Sequence, residues 1–251
     1  MKVLFGGFGI QGFLAVPFLD ALDEVDFGGE MIVNGLGGFY AILKEKLGRA
    51  EALSRLKSFV RKFWEELYMA DREWLCSGRR KRGYKPLAVK YCYLWAVKES
   101  MRSWKEMEDL LEGLEGDSEI GVEYFDIDER SVGVYRGSAK KAAMISAALL
   151  EIFPPVDGRY LSTTYLSQIP ILSAEDGDVV LVNLRDPSRC DVKKADEILA
   201  QSAELRAIAL AKKLILKKRL KTIHASPISW SDISRIESFK EIFKKELEGI
   251  L

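Results

Sequence analysis

Residues 2–45 constrain the fold most strongly, because they contain the same unit twice: a short apolar strand, a glycine-rich turn and a helix-period pattern. Residues 3–5 run into a turn with four glycines at residues 6–12, and residues 31–33 run into a second turn at residues 34–38. A strand that turns sharply into a helix requires positive φ and close backbone approach, which glycine allows most easily. The pattern predicts an α/β fold with a mainly parallel sheet and functional loops at the carboxyl ends of its strands.

The first turn also fits a dinucleotide-binding fingerprint in its spacing, since Gly7, Gly9 and Gly12 follow a strand. That fingerprint requires an acidic residue at the end of the second strand. Here the second strand runs into Asn34 and another glycine turn. We therefore discount a dinucleotide fold.

The remainder of the chain continues as one domain, residues 1–251, with a helical insertion at about residues 47–118. The insertion is rich in aromatic residues, which indicate either a lid over an acyl pocket or ordinary core packing. It also carries a basic loop that either contacts anionic lipid headgroups as a peripheral membrane site or is simply solvated. The loop residues are Arg79, Arg80, Lys81 and Arg82.

After the insertion, the sequence predicts a hairpin, a helix capped by Ser138, a buried strand, a long helix, another strand and a final amphipathic helix. The hairpin strands are at residues 120–126 and 132–135. The later elements are predicted at residues 179–184, about 192–216, 220–224 and beyond 235.

Composition excludes several classes of function. Lys+Arg and Asp+Glu both number 38, so no net positive charge favours nucleic acid as a partner. One histidine, His224, and three scattered cysteines provide no metal-ligand spacing, and we expect no metal or cofactor. The cysteine pattern favours a reducing, cytoplasmic compartment, and the uncharged residues 3–19 are too interrupted by glycines for a signal peptide. Abundant balanced charge with few Asn and Gln is typical of thermophile proteins.

Three landmarks in order make the chain resemble the patatin-like phospholipases over nearly its whole length. Residues 7–12 align with that family's oxyanion loop, Gly-Gly-Gly-x-Arg-Gly, and residues 35–39 align with its nucleophile elbow, Gly-x-Ser-x-Gly. Residues 152–160 are similar to its Phe-Pro-Pro-Val and Asp-Gly-x-Tyr run. The resemblance implies a three-layer α/β/α fold and a serine–aspartate lipid acyl hydrolase.

The residues that perform the family's chemistry are absent at the matching positions. Gly37 stands at the position of the nucleophilic serine, and Ser162 at that of the aspartate base. Gln11 replaces the arginine of the oxyanion loop, and Phe39 replaces the closing glycine of the elbow. Without an oxygen nucleophile no acyl-enzyme can form, and loss of both members of a coupled pair abolishes the reaction.

The surviving glycines leave two interpretations open. Backbone N–H groups of the two turns can bind a carboxylate or phosphate, as in an oxyanion hole, or the strand–turn–helix geometry alone can require the glycines. The candidate ligand-binding residues are Gly7, Phe8, Gly9, Gln11, Gly12, Gly35, Gly37 and Gly38.

Three functions follow as hypotheses. The first is an inactive patatin-like protein that binds a fatty acid, lipid or other acyl ligand, or acts as a scaffold. The second is an active lipid acyl hydrolase with a relocated catalytic group, for which the candidates are Ser162, Thr163 and Asp157. The third is a protein-interaction module without a ligand.

Overall fold

The computed structural model describes residues 1–7, 9–63, 67, 102–149, 152–184 and 195–251. Phe8, the three cysteines, the basic loop at residues 79–82 and most of the predicted insertion lie outside these ranges. The predictions that concern them therefore stay predictions.

The described residues form a seven-stranded sheet, in which six strands follow the order β4-β3-β2-β1-β6-β7 and β5 pairs with β3. Strand β1 is central, paired in parallel with β2 on one side and β6 on the other. Strands β4 and β5 are antiparallel to β3. The strands are β1 Lys2–Phe5, β2 Glu30–Val33, β3 Asp117–Asp126, β4 Ser131–Ser138, β5 Tyr160–Ser162, β6 Val179–Val182 and β7 Lys221–His224.

Helices cover both faces of this sheet. They are α1 Ala15–Glu24, α2 Gly35–Leu47, α3 Arg49–Lys62, α4 Glu108–Leu111, α5 Ala139–Ala147, α6 Thr164–Ser167, α7 Ala195–Lys217 and α8 Phe239–Ile250. Shorter 3-10 helices span Gly9–Leu14, Trp104–Met107 and Trp230–Ser238. Within the described residues, none of these helices is both long and apolar enough to cross a membrane.

Alternate side chains of the central strands supply two separate hydrophobic cores. Val3 and Phe5 of β1 point into the larger core, with residues of α1, α2, α3, α5 and α8. Leu4 points to the opposite face and packs with Ile32, Val180 and Ala211 of α7. The strand period of two therefore divides the helices between the faces. The prediction of an α/β fold with a mainly parallel sheet is confirmed, and the arrangement is compatible with three layers.

The part of the insertion that the structure describes belongs to the core. Leu56 and Phe63 are fully buried, as the helical spacing predicted, and so is Phe59. Phe63 packs edge-on to Phe153, the first residue of the Phe-Pro-Pro-Val run, and Trp104 stacks on the same ring. Phe39 joins this group through Phe59, with ring centroids 5.2 Å apart. These aromatic side chains fix α3 to the sheet.

Candidate functional site

The two glycine turns and the end of β5 meet at the carboxyl ends of the central strands. Strand β2 pairs with β3 only at Gly121 and Val122, whereas β4 pairs along the other edge of β3. Strand β5 takes the edge that β2 leaves free, beyond the end of β2. This topology brings Ser162, the last residue of β5, to the start of α2.

The sharp strand-to-helix turn is at Gly35, two residues before the position predicted from the sequence. Gly35 has φ +61° and begins α2, and its N–H donates a hydrogen bond to the Ser162 hydroxyl at 3.2 Å. A nucleophile elbow places its serine at such a strained turn. Gly37 lies instead inside the first turn of α2. The helix, expected from Phe39, begins four residues earlier, and neither glycine offers an oxygen nucleophile.

The two glycine turns pack against each other backbone to backbone. A Cβ on Gly35 would lie 2.4 Å from the Gly7 carbonyl oxygen, and a Cβ on Gly37 would lie 2.7 Å from that of Gly6. A Cβ on Gly12 would lie 2.8 Å from the Gly37 nitrogen. The first turn therefore covers the amino terminus of α2. Close packing accounts for these glycines without a bound anion.

A buried cluster of polar side chains lies beside these turns; we refer to it as the polar cluster. Asn34 Nδ2 donates to Thr163 Oγ1 at 3.1 Å, and Thr163 Oγ1 donates to Glu123 Oε1 at 2.7 Å. The other oxygen of Glu123 accepts from both the N–H and the hydroxyl of Ser173, each at 2.7 Å. The cluster consists of Asn34, Glu123, Ser162, Thr163, Thr164 and Ser173.

Five of the six residues of the polar cluster are closed to solvent, and Ser173 is half-buried. Asn34, Glu123 and Thr163 are 0% exposed, and Ser162 and Thr164 are 2% exposed. The Thr164 hydroxyl donates to Ser162 Oγ at 3.2 Å. A threonine hydroxyl held against a carboxylate is the arrangement that activates an oxygen nucleophile. In this geometry no substrate carbonyl can reach the Thr163 hydroxyl, because neither Thr163 nor Glu123 exposes any surface to solvent.

Burial raises the pKa of Glu123, although the hydrogen bonds from Ser173 and Thr163 and the nearby charge of Lys218 oppose this shift. Lys218 directly follows α7 and contacts the loop that carries Ser173. Its ammonium donates to the carbonyl oxygens of Ile171, Leu172 and Ala174 in that loop. Burial lowers the pKa of Lys218. The loop around Ser173 is therefore bound through its N–H and hydroxyl by a carboxyl group and through its carbonyls by an amine.

Two buried amides hold the first glycine turn. Asn183 Nδ2 donates to the carbonyl oxygens of Gly6 and Gln11 at 2.8 and 3.0 Å. The Gln11 side chain forms a reciprocal pair with the backbone of Ile228: its Nε2 donates to the carbonyl oxygen at 2.7 Å, and its Oε1 accepts from the N–H at 3.2 Å. Gln11 thus joins the turn to the C-terminal segment. The patatin-like phospholipases carry an arginine at the position of Gln11.

The other predicted site residues lie as follows. Gly9 begins the 3-10 helix Gly9–Leu14. Gly38, which lies in α2, packs against Ser146 and Val33. Asp157 is a turn residue with φ +53°, and its exposed carboxylate is paired with Lys141 at 2.6 Å. His224 is exposed at the end of β7 and contacts the Thr222 hydroxyl at 3.1 Å. Neither belongs to the polar cluster.

The sequence pattern did not predict Glu123, Ser173 or Asn183 as residues of the site. Glu123 is the one acidic residue among the buried residues 120–123 of β3, a signal that the apolar pattern obscured. Asn183 directly follows the apolar strand β6, at the same sheet edge as Asn34 after β2. Ser173 carried no sequence signal.

An open groove lies on the outer side of the first turn. Its volume is about 480 Å³. The floor is apolar, Lys57 stands at its rim, and Glu237 at the rim is paired with Arg49. We call this site the Trp230 groove. Its lining residues are Phe13, Leu53, Lys57, Trp230, Ser231, Ile233, Ser234, Ile236 and Glu237.

No group of three or more potential metal ligands occurs among the described residues. A scan against models of protein families and a search of curated proteins find no match for this chain.

Proposed function

We propose that the chain is a patatin-like domain that has lost ester hydrolysis and acts by binding, either as an acyl-ligand carrier or as a scaffold. The observation that carries this proposal is Gly35. The strained turn at the start of α2 lacks a side chain, and the residue opposite its N–H is Ser162 instead of a carboxylate. Serine is a poor general base at neutral pH because its hydroxyl stays protonated.

The packing of the turns supports the same proposal. Adding a side chain at Gly35 or Gly37 would force apart backbone atoms that lie within 3 Å of the new Cβ. A serine cannot be restored at either position without moving the first turn. The site has therefore been remodelled beyond the loss of two functional groups.

The Trp230 groove is the candidate binding site for an acyl ligand. Its volume lies in the range of small-ligand sites, about 300–1,000 Å³, and its floor is mostly hydrophobic. Lys57 has no ion-pair partner among the described residues and provides a positive charge for a carboxylate. A fatty acid matches this combination of one anionic head and an apolar chain.

A second candidate function rests on the 2.7 Å contact between Thr163 Oγ1 and Glu123 Oε1. In a relocated hydrolase, the Glu123 carboxylate would take the hydroxyl proton as the Thr163 oxygen attacks the ester carbonyl. The alcohol would leave and a threonyl ester would form. This reaction requires the cover over the polar cluster to open.

Treatment with a fluorophosphonate probe, read by intact mass, distinguishes the two. We expect the native protein to remain unlabelled. A single adduct that disappears in Thr163→Ala and persists in Ser231→Ala, a hydroxyl at the rim of the Trp230 groove, would establish the hydrolase instead.

Native mass spectrometry with added palmitate tests the ligand. We expect one bound palmitate, lost in Ile233→Glu and retained in Ile242→Glu, which places the same charge on exposed α8. Absence of binding to the native chain would leave the scaffold interpretation as the non-catalytic function.

A further inference from the structure

The outward face of α7 combines unpartnered cations with exposed leucines. Leu216 is 80% exposed and Leu205 is 46% exposed, the former being the most exposed of the large apolar side chains described. Ala209, also exposed, lies between them on the same face, because steps of four and seven residues return to one side of a helix. An apolar stripe therefore faces solvent along α7.

Basic side chains flank this stripe on both sides. At about 100° per residue, Lys212 lies on one side of it, and Lys213, Arg206 and Lys217 lie on the other. All four are exposed, and none of them forms an ion pair in the described part of the chain. We call these four residues, with Leu205, Ala209 and Leu216, the α7 basic face.

Two acidic groups at the carboxyl end of α7 are paired with cations outside this face. At the carboxyl end of α7, Asp176 is paired with Arg219, and Glu175 is paired with Lys2. Lys218 points inward and is occupied by three carbonyl oxygens. A chain with zero net charge thus concentrates positive charge on one helix face.

The opposite side of α7 explains why this face is left exposed. Ala207, Ile208 and Ala211 are buried, and Ala211 packs with Leu4, Ile32 and Val180 of the sheet. Helix α6 packs against α7, and its Leu166 is 37% exposed. An exposed leucine therefore also lies on the helix beside α7.

We propose that the α7 basic face is a peripheral binding site for an anionic lipid bilayer. Lysine and arginine around an apolar stripe match the headgroup region, where cations meet anionic lipid and leucines enter the acyl boundary. Nucleic acid would use the cations but would leave Leu205 and Leu216 in water. The α7 basic face includes none of residues 79–82, and the proposal does not depend on whether the polar cluster hydrolyses esters.

Vesicle co-sedimentation of the full chain tests this proposal. We expect binding to phosphatidylcholine vesicles in which about a third of the lipid is phosphatidylserine, no binding to phosphatidylcholine alone, and weaker binding at higher salt. Leu216→Glu should weaken binding at least about tenfold, through loss of the inserted side chain. Lys212→Gln should weaken it about fivefold, the effect of one cation near the membrane surface.

Matched controls use exposed residues of α8. Ile242→Glu and Lys245→Gln make the same chemical changes at positions outside the α7 basic face, and both should bind as the native chain does. Equal loss in these controls, or no binding to the anionic vesicles, overturns the proposal. Binding to a short DNA duplex that is insensitive to Leu216→Glu also overturns it, because the face would then be a phosphate site without an apolar component.

Discussion

The Thr163 hydroxyl donates to Glu123 Oε1 across 2.7 Å in a site from which both side chains are entirely excluded from solvent. The same hydroxyl accepts from Asn34, so one oxygen connects the ends of β2, β3 and β5. Its removal leaves a buried amide and a buried carboxyl oxygen each short of one partner.

Thr163→Val should therefore lower the free energy of unfolding by about 2–4 kcal/mol, the sum of two unsatisfied buried groups. Urea denaturation measures the change. Thr163→Ser, which keeps the hydroxyl, should recover most of the loss. Thr222→Val, which removes a half-buried hydroxyl that contacts exposed His224, is the matched control and should stay within about 0.5 kcal/mol of the native chain. A similar small effect at Thr163 would mean that the hydrogen bond is not formed.

The stability of the native chain should depend on pH through Glu123. Burial raises the pKa of this carboxyl above 4.5, so the folded state binds its proton more tightly than the unfolded state. The resulting stabilisation is complete below about pH 4.5 and is lost as the pH rises through the folded pKa. Glu123→Gln has no such group. As the pH rises above about 4.5 and through the folded pKa, the native chain should lose stability relative to the variant, by at most about 1.4 kcal/mol per pH unit. A difference that stays flat or grows in favour of the native chain would show that Glu123 folds in its ionised form.

Gly35→Ala should be severely destabilising, by about 2–5 kcal/mol. The substitution adds left-handed backbone strain of about 1–2 kcal/mol to overpacking of about 1–3 kcal/mol against Gly7 and Thr164. Gly158→Ala is the matched control, since Gly158 has φ +69° with no atom within 4 Å of an added Cβ. It should cost only the strain. Equal effects of the two changes, measured by denaturation, would contradict the close packing of the two turns.

Gln11→Leu should cost about 2–4 kcal/mol, because it keeps the side-chain volume but leaves the buried N–H and carbonyl of Ile228 without their partner. The Ile228 N–H donates to Gln11 Oε1, from a residue 217 positions away in sequence. The variant removes this acceptor and should therefore speed exchange of the Ile228 amide hydrogen. Unchanged exchange at Ile228 would mean that another group protects that amide.

The sequence predicted the sheet better than the site. Apolar runs and glycine turns indicated β1, β2 and β6, and Ser138 caps α5 through the Lys141 N–H as expected. The turn register was not available from the pattern, since Gly35 and Gly37 are identical in a string of letters. Only the backbone shows which one has positive φ. Glu123 was hidden because a buried acid in an apolar strand can be recognised only from partners that lie 40 and 50 residues away.

The central position of β1 has a consequence for synthesis on the ribosome. Its first partner, β2, emerges soon after it, but its second edge waits for Val179 and Val180 of β6. Until then the nascent chain carries a central strand with one edge unpaired. Its residues Val3, Leu4 and Phe5 are all fully buried in the finished fold. An open, apolar strand edge readily pairs with other chains. We therefore expect nascent fragments that end before β6 to require a chaperone, and the full-length chain to release it.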